Sequence, residues 1–167
     1  MAETYQAPQA VTVWSADSIE QSSSARALLF ESYQQRFAVT ADYVTEVIEV
    51  PEYTTVPRAP GWYCGLAVYR ARPVAVIDPI QFFVPDRQVV SHTRAIVVSV
   101  ASSTYFFLAE KILNLSKLDP VHNNAHTNQD LAAHSAVSAV CHVDNKPVLL
   151  IDTPEFLRQM HLLRAVG

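Results

Sequence analysis

Glycine, cysteine and long apolar runs are all scarce in this sequence of 167 residues. The three glycines are Gly61, Gly65 and Gly167, so no glycine-rich loop is present that could hold a phosphate. The two cysteines, Cys64 and Cys141, are typical of a reduced, cytoplasmic protein. No apolar run approaches the roughly twenty residues that cross a bilayer, and no segment has the basic, apolar and small-residue order of a secretory signal. We therefore predict a cytoplasmic protein without membrane insertion.

Positive charge is also scarce, since 12 Lys and Arg face 16 Asp and Glu and the formal net charge is −4. The basic residues are scattered rather than clustered, which argues against nucleic acid as a partner. Half of the residues are apolar, enough to bury a substantial core. The chain is therefore predicted to form one domain, or two small ones that share a core.

The order of local patterns predicts short strands after a polar start. Residues 1–25 are rich in Ser, Gln and Ala and lack a regular apolar period, so we expect a mobile tail. From residue 26, "RALLFESY" and "QRFAVT" predict a hairpin around Gln34 and Gln35, and "VTEVIEV" predicts a further strand. The Pro-rich "TTVPRAPGWYCG" predicts an extended connection, followed by strands at "LAVYR" and "PVAVID".

A repeated phrase indicates that the chain is duplicated. "RPVAVIDPIQFF" at 72–83 returns as "KPVLLIDTPEFL" at 146–157, and the apolar pattern of 26–50 returns at 94–118. Two phrases that recur in the same order indicate two copies of one structural unit. The sequence thus predicts two copies of a five-strand unit.

Short strands and Pro-rich turns favour small barrels, which leave no sheet edge exposed. We predict an all-β fold of two pseudo-repeated five-stranded SH3-like barrels that share a core, with a first barrel at about 26–83 and a second at about 94–152. The polar, His-bearing stretch 119–136 is expected to be a surface loop. A C-terminal helix at about 154–165 is predicted to begin after an N-cap at Thr153. Its apolar stripe is Phe156, Leu157, Met160 and Leu163.

No constellation of residues indicates a reaction, a cofactor or a metal. His122 and His126 are spaced as i and i+4 and His134 follows, but their Asn-rich flanks are typical of a loop rather than of a zinc site. Both cysteines lack an activating neighbour and are expected to be buried. Asp78 and Asp152 occupy equivalent positions at strand ends, which favours a structural role.

Two alternatives, an enzyme and a nucleic-acid-binding protein, stay open at this point. An enzyme would need titratable groups that converge on one pocket, for which a close arrangement of Cys141, His142 and Asp144 is the candidate. A nucleic-acid-binding barrel would need aromatic and basic residues on one exposed face. The acidic balance of the chain disfavours the second alternative.

The densest motif of the first copy resembles the CheW-like domain, the adaptor of bacterial chemosensory arrays. The run "VTEVIEVPEYTTVPRAPGWYCGLAVYRARPVAVID" follows that family's pattern, and the resemblance extends over about 26–157. The matched positions are Val44, Glu46, Pro57, Pro60, Trp62, Gly65, Arg70 and Asp78. The resemblance implies two intertwined five-stranded barrels within a CheW-like domain at 26–167.

The resemblance also implies a non-enzymatic adaptor that needs no cofactor. Its partners would be the regulatory domain of a CheA-type histidine kinase and the cytoplasmic tip of a methyl-accepting chemoreceptor, with self-association a further possibility. The partner-binding residues carried over are Val44, Glu46, Trp62, Gly65 and Arg70. The alternatives for these residues are structural: an internal Arg70–Glu46 or Arg70–Asp78 pair, a hydrophobic lid at Trp62, and backbone shape at Gly65.

Three departures from the family pattern favour a dedicated chemosensory system. Ala71 replaces a glycine, Val68 replaces an asparagine, and the proline before the last strand has moved to Pro73. Such drift resembles the PilI or ChpC type of adaptor in type IV pilus twitching motility more than a general chemotaxis protein. A solitary CheW-like regulator that has lost one partner is the alternative within the family.

Overall fold

The computed structural model describes residues 26–85, 91–120 and 134–165. The predicted tail at 1–25 and most of the His-bearing loop, including His122 and His126, lie outside the described residues. The strands are β1 (Arg26–Ser32), β2 (Gln35–Thr40), β3 (Val44–Glu49), β4 (Tyr63–Tyr69), β5 (Arg72–Ile77), β6 (Arg94–Val100), β7 (Ser103–Ala109), β8 (Lys111–Lys117), β9 (Asp119–Pro120), β10 (Val137–Val143) and β11 (Lys146–Ile151). The α-helices are α1 (Pro79–Phe83) and α2 (Thr153–Ala165).

The strands form two sheets, and each sheet takes strands from both copies. One sheet has the order β3-β6-β7-β5-β4, and the other has the order β8-β1-β2-β11-β10-β9. This corrects the prediction that 26–83 and 94–152 each fold into a barrel of their own. The chain leaves the second sheet after β2 through a 3-10 turn at Ala41–Tyr43 and enters the first sheet at β3. The two units are therefore intertwined, as the family resemblance implies.

The registers of the two sheets repeat position by position. The bulge where β3 meets β6, between Val44 and Glu46, recurs where β8 meets β1, with Ile112 and Asn114 in the equivalent places. The parallel pair β5–β7 has Ala75 opposite Tyr105, and the parallel pair β11–β2 has Leu149 opposite Phe37. A pseudo-two-fold axis therefore relates the sheets, which confirms two pseudo-repeated units.

Hairpin turns recur at equivalent positions although glycine is scarce. Tyr33 and Gln34 have positive φ between β1 and β2, as expected for the predicted hairpin, and Ala101 does so between β6 and β7. Arg70 with Ala71 and, in the other copy, Asp144 with Asn145 form the corresponding turns. Two-residue turns of this kind match the twist of the flanking strands and require left-handed residues. Non-glycine residues therefore adopt the strained left-handed conformation that these hairpin turns require.

Buried side chains fall into three clusters, one inside each sheet and one shared between them. Alternate residues of each strand supply them, so Leu29 points into the second sheet while Phe30 points into the shared seam. Helices α1 and α2 both contribute to the seam. The equivalent rings of Phe82 and Phe156 meet there, with centroids 4.4 Å apart. The predicted shared core is confirmed.

The repeated phrase builds the same strand-to-helix corner in each copy. Asp78 Oδ1 accepts a hydrogen bond from the Ile80 amide at 3.1 Å, and Asp152 Oδ1 accepts one from the Glu155 amide at 3.0 Å. The N-cap of α2 is therefore Asp152, which corrects the prediction of Thr153. Helix α2 was predicted and buries Phe156, Leu157 and Met160, whereas the side chain of Leu163 lies outside the described residues.

Candidate functional site

The two edge strands of the first sheet meet at a polar contact between Glu46 and the end of β4. No ladder joins β3 to β4 in the described residues, since they are the outermost strands of that sheet. The Tyr69 hydroxyl donates a hydrogen bond to Glu46 Oε1, and an Arg70 guanidinium nitrogen lies 3.3 Å from the same oxygen. The hydrogen bond to Glu46 raises the pKa of Tyr69. We call Glu46, Tyr69 and Arg70 the clamp.

The clamp lies at the surface. The Arg70 side chain is 71% exposed and that of Glu46 is 39% exposed. Arg70 also lies over the Tyr69 ring, with its guanidinium carbon 5.0 Å from the ring centroid. An exposed ion pair of this kind contributes about 1 kcal/mol or less to folding. Both charges therefore remain accessible to another protein.

Exposed apolar side chains lie on the same two strands as the clamp. Val47 on β3 and Leu66 and Val68 on β4 are exposed, and Val68 is 76% exposed. Apolar anchors next to charges are the composition of a protein-binding rim. Tyr69, Val47 and Leu66 were missed at the sequence level. The alternation of β3 and β4 around the matched positions is the signal that would have found them, because it places neighbours of Glu46 and Arg70 on the surface.

Two of the residues predicted to bind a partner, Val44 and Trp62, pack inside the fold instead. Val44 begins β3, is half-buried and packs against the seam. Trp62 is only 6% exposed, and its ring meets Phe82 edge-on at 5.9 Å. Trp62 thus packs in the core in this structure, and its side chain does not reach the rim.

Gly65 allows a close backbone approach. It sits at a bulge in β4, with φ +155°, and is buried. The connection before β4 runs across it, because Thr54 and Leu66 exchange two backbone hydrogen bonds of 2.8 and 2.9 Å. A Cβ at position 65 would collide with the Thr54 carbonyl oxygen and lie 2.8 Å from its carbon. This geometry supports a role for Gly65 in backbone shape rather than in contact with a partner.

The second sheet lacks the clamp at its equivalent end. By the repeated register, Asn114 takes the place of Glu46, and Val143 and Asp144 take the places of Tyr69 and Arg70. An acid therefore occupies the position of the exposed arginine. The two ends of the molecule that the pseudo-two-fold axis relates share their backbone geometry but differ in surface charge.

The side chains of Cys64, Cys141 and His134 lie in environments that lower their reactivity. Burial raises the pKa of the Cys64 thiol to about 12, and Cys141 is fully buried. The ring of His134 packs edge-on against Phe82 and Phe83 at 5.6 and 5.0 Å, and burial lowers its pKa. A thiol with a raised pKa is a poor nucleophile at neutral pH.

Neither a metal site nor a converging reactive group is found in the part of the chain that the structure describes. No group of three His, Cys, Asp or Glu side chains could hold a metal ion there. Cys141 is buried inside the second sheet, whereas Asp144 lies in the exposed turn after β10. Within the same residues, no helix has the length and apolar character to cross a membrane.

These features define a duplicated, intertwined β scaffold with a charged and apolar rim at one end. A model of the CheW-like domain family matches residues 26–161, so the chain belongs to that family. The crystal structure of the scaffolding protein TtCheW from Thermoanaerobacter tengcongensis is similar, with a TM-score of 0.61, 17% identity, and coverage of 76% of this chain and 88% of that one. The search of curated proteins returned no match. CheW-like proteins are non-enzymatic scaffolds, which supports the predicted role of a chemotaxis adaptor.

Proposed function

We propose that this protein couples a chemoreceptor to a CheA-type histidine kinase, and that the rim around the clamp binds the kinase regulatory domain. The observation that carries the proposal is the exposed Glu46–Arg70 pair, which joins two edge strands, one of which carries the exposed Val68. Charges at such a rim set register and association rate, and an apolar anchor supplies binding energy. The proposed interface retains Val44 and Gly65 as supports and omits the Trp62 side chain because it is buried.

The difference between the two ends supports binding of two different partners. A kinase regulatory domain built from the same kind of barrel would contact one end, and its opposite end would remain free for a further copy, so that heterologous contacts extend the assembly. The cytoplasmic tip of a methyl-accepting chemoreceptor is the second partner in this proposal. With these two partners, the protein would function in the cytoplasm at a receptor array. The exposed Val68 and the Ala71 turn favour a dedicated system of the twitching-motility type.

A charge reversal tests the kinase interface. Arg70→Glu places two carboxylates together at the rim and repels a partner surface that is complementary to arginine. We expect at least a roughly tenfold loss of affinity for the kinase regulatory domain, the factor that corresponds to about 1.4 kcal/mol. Calorimetry with the purified domains measures this loss.

Arg158→Glu is the matched control. Arg158 is also an exposed arginine paired with a glutamate, since it lies 2.6 Å from Glu155, but it is on α2. That contact, together with Gln159, lowers the pKa of Glu155 to about 2. Equal affinities of the two variants would refute the proposed interface. Unfolding of Arg70→Glu would show instead that the clamp is needed for the fold.

A solitary CheW-like regulator with one partner is the second candidate. The absence of a clamp at the Asn114 and Asp144 end favours it. Co-purification from native cells separates the two candidates. Recovery of both a kinase and a receptor supports the coupling adaptor, and repeated recovery of one class alone supports the solitary regulator.

A further inference from the structure

A cleft of about 700 Å³ opens at the first sheet, beside the rim. Strands β3 to β7 form its floor, and His161 of α2 lines it from above the sheet. The cleft falls within the usual range of small-ligand sites, roughly 300 to 1,000 Å³. Its size is therefore that of a site for a small molecule.

The sheet register explains why basic and hydroxyl groups meet in this cleft. Strands β5 and β7 are parallel neighbours, with Ala75 opposite Tyr105. Their first residues, Arg72 and Ser103, therefore lie at the same end of the sheet. The two hairpin turns that precede these strands open side by side at the mouth of the cleft.

The lining residues are rich in hydrogen-bond donors and include no Asp or Glu. Ser99 Oγ lies 3.2 Å from Thr45 Oγ1 and 3.3 Å from Thr104 Oγ1, so three hydroxyls form a continuous row. Arg72 is exposed, and its side chain has no hydrogen bond or ion pair within the described residues. An unpaired guanidinium next to a row of hydroxyls is suited to bind an anion, above all a phosphate.

The equivalent place in the second copy holds an internal ion pair. By the repeated register, Glu31 and Arg36 stand where Ser99 and Thr104 stand in the first copy. Glu31 and Arg36 form an ion pair of 3.7 Å, so the second copy supplies its own carboxylate. The first copy has neither charge at this place, since Ser99 and Thr104 are neutral, and the cations that line its cleft are Arg70 and Arg72. Arg70 is paired with Glu46, whereas Arg72 has no counter-charge in the described residues.

We propose that this cleft binds a small phosphate-bearing molecule of about mononucleotide size. Arg72 and the row of hydroxyls would hold the phosphate, and the rings of Tyr69 and Tyr105 line the remaining space for a planar group. Tyr105 is already oriented by a hydrogen bond of 2.8 Å between its hydroxyl and His161 Nε2. The cleft shares Leu66, Tyr69 and Arg70 with the rim, whereas Arg72 is not among the residues proposed to bind the kinase.

Isothermal titration of the full-length protein with AMP, adenosine and inorganic phosphate tests the proposal. We expect saturable binding of AMP, weaker binding of inorganic phosphate, and no measurable binding of adenosine. Arg72→Gln should weaken AMP binding by about tenfold or more, the loss expected for one charged hydrogen bond. Since Arg72 is exposed and unpaired in the described residues, the variant should melt within a few degrees of the wild type.

Lys146→Gln is the matched control, because Lys146 is the equivalent exposed residue of the second copy. We expect it to change AMP affinity by less than about twofold. The proposal is overturned if AMP does not bind, if adenosine binds as tightly as AMP, or if Arg72→Gln and Lys146→Gln bind AMP equally. Because Arg70 lines the cleft as well as the rim, AMP binding is tested with Arg72→Gln and kinase binding with Arg70→Glu. Failure of AMP to bind the wild-type protein overturns the cleft proposal without affecting the kinase interface.

Discussion

Truncation of Phe156 tests the claim that the two sheets share one core. Phe156 is fully buried, and its ring centroid lies 4.4 Å from that of Phe82, 5.5 Å from Phe83 and 5.1 Å from Phe107. Phe-to-Ala changes in such cores cost about 3 to 5 kcal/mol, because the transfer energy is lost and a cavity remains. Domains of this size are stable by only about 5 to 15 kcal/mol. We therefore expect Phe156→Ala to remove about a fifth or more of the free energy of unfolding.

Urea denaturation followed by far-ultraviolet circular dichroism measures this loss. Because both sheets contribute to the seam around Phe156, we expect one transition at a lower urea concentration with an unchanged slope. Val68→Ala is the control, since Val68 is exposed and should change stability by less than about 0.5 kcal/mol. A loss under about 1 kcal/mol for Phe156→Ala, or separate transitions for the two sheets, would refute the shared core.

Three further predictions concern single residues. Gly65→Ala should cost about 2 kcal/mol or more, measured by thermal melting, because its Cβ would collide with the Thr54 carbonyl; wild-type stability would contradict this. Asp78→Ala and Asp152→Ala should each cost about 0.5 to 2 kcal/mol of unfolding free energy in urea, as lost N-caps, and an unchanged midpoint would disprove the capping role. Burial lowers the pKa of His134, so the unfolded chain binds more protons than the folded chain. The free energy of unfolding should therefore fall as the pH drops below about 6.5, the pKa of this histidine in the unfolded chain. The free energy of unfolding of His134→Gln should fall less over this pH range.

The repeat and its local elements were predictable because they depend on short-range chemistry. Alternating apolar residues and turn positions identify the hairpin around Gln34 and the strand pair that flanks Arg70 and Ala71. Helix α2 carries a proline and an apolar stripe over more than three turns, which makes it visible in sequence. Helix α1 has only five residues and was missed. The equivalence of Asp78 with Asp152 was the available signal for it, since both cap a helix.

The exchange of strands between copies was not predictable from the repeat itself. Equivalent positions have the same apolar pattern, so a strand such as β1 fits equally well beside a partner from either copy. The choice depends on the path after Thr40, where a single 3-10 turn carries the chain into the other sheet. Local patterns do not specify the direction of that turn, whereas the family resemblance did supply the intertwined arrangement.

The candidate site was predictable only in part, because exposure depends on tertiary packing. The motif identified Glu46 and Arg70, and the structure brings them within 3.3 Å. The same motif included Trp62, which the Phe82 ring and the seam bury. A motif records which residues a fold family uses at given positions, but it does not separate those that contact a partner from those that hold the contacting ones in place.

Duplication alone yields two identical ends, so divergence between the copies must supply whatever distinguishes two partners. The shared seam and the caps at Asp78 and Asp152 keep the two backbones alike, because a change there costs stability in both units at once. Surface positions carry no such penalty and can diverge freely. Two of the differences lie at such positions. Glu46 of the clamp is replaced by Asn114 in the other copy, and Ser99 is replaced by the charged Glu31. The chain thus confines its chemical differences to surfaces where two ends of one scaffold can bind different molecules.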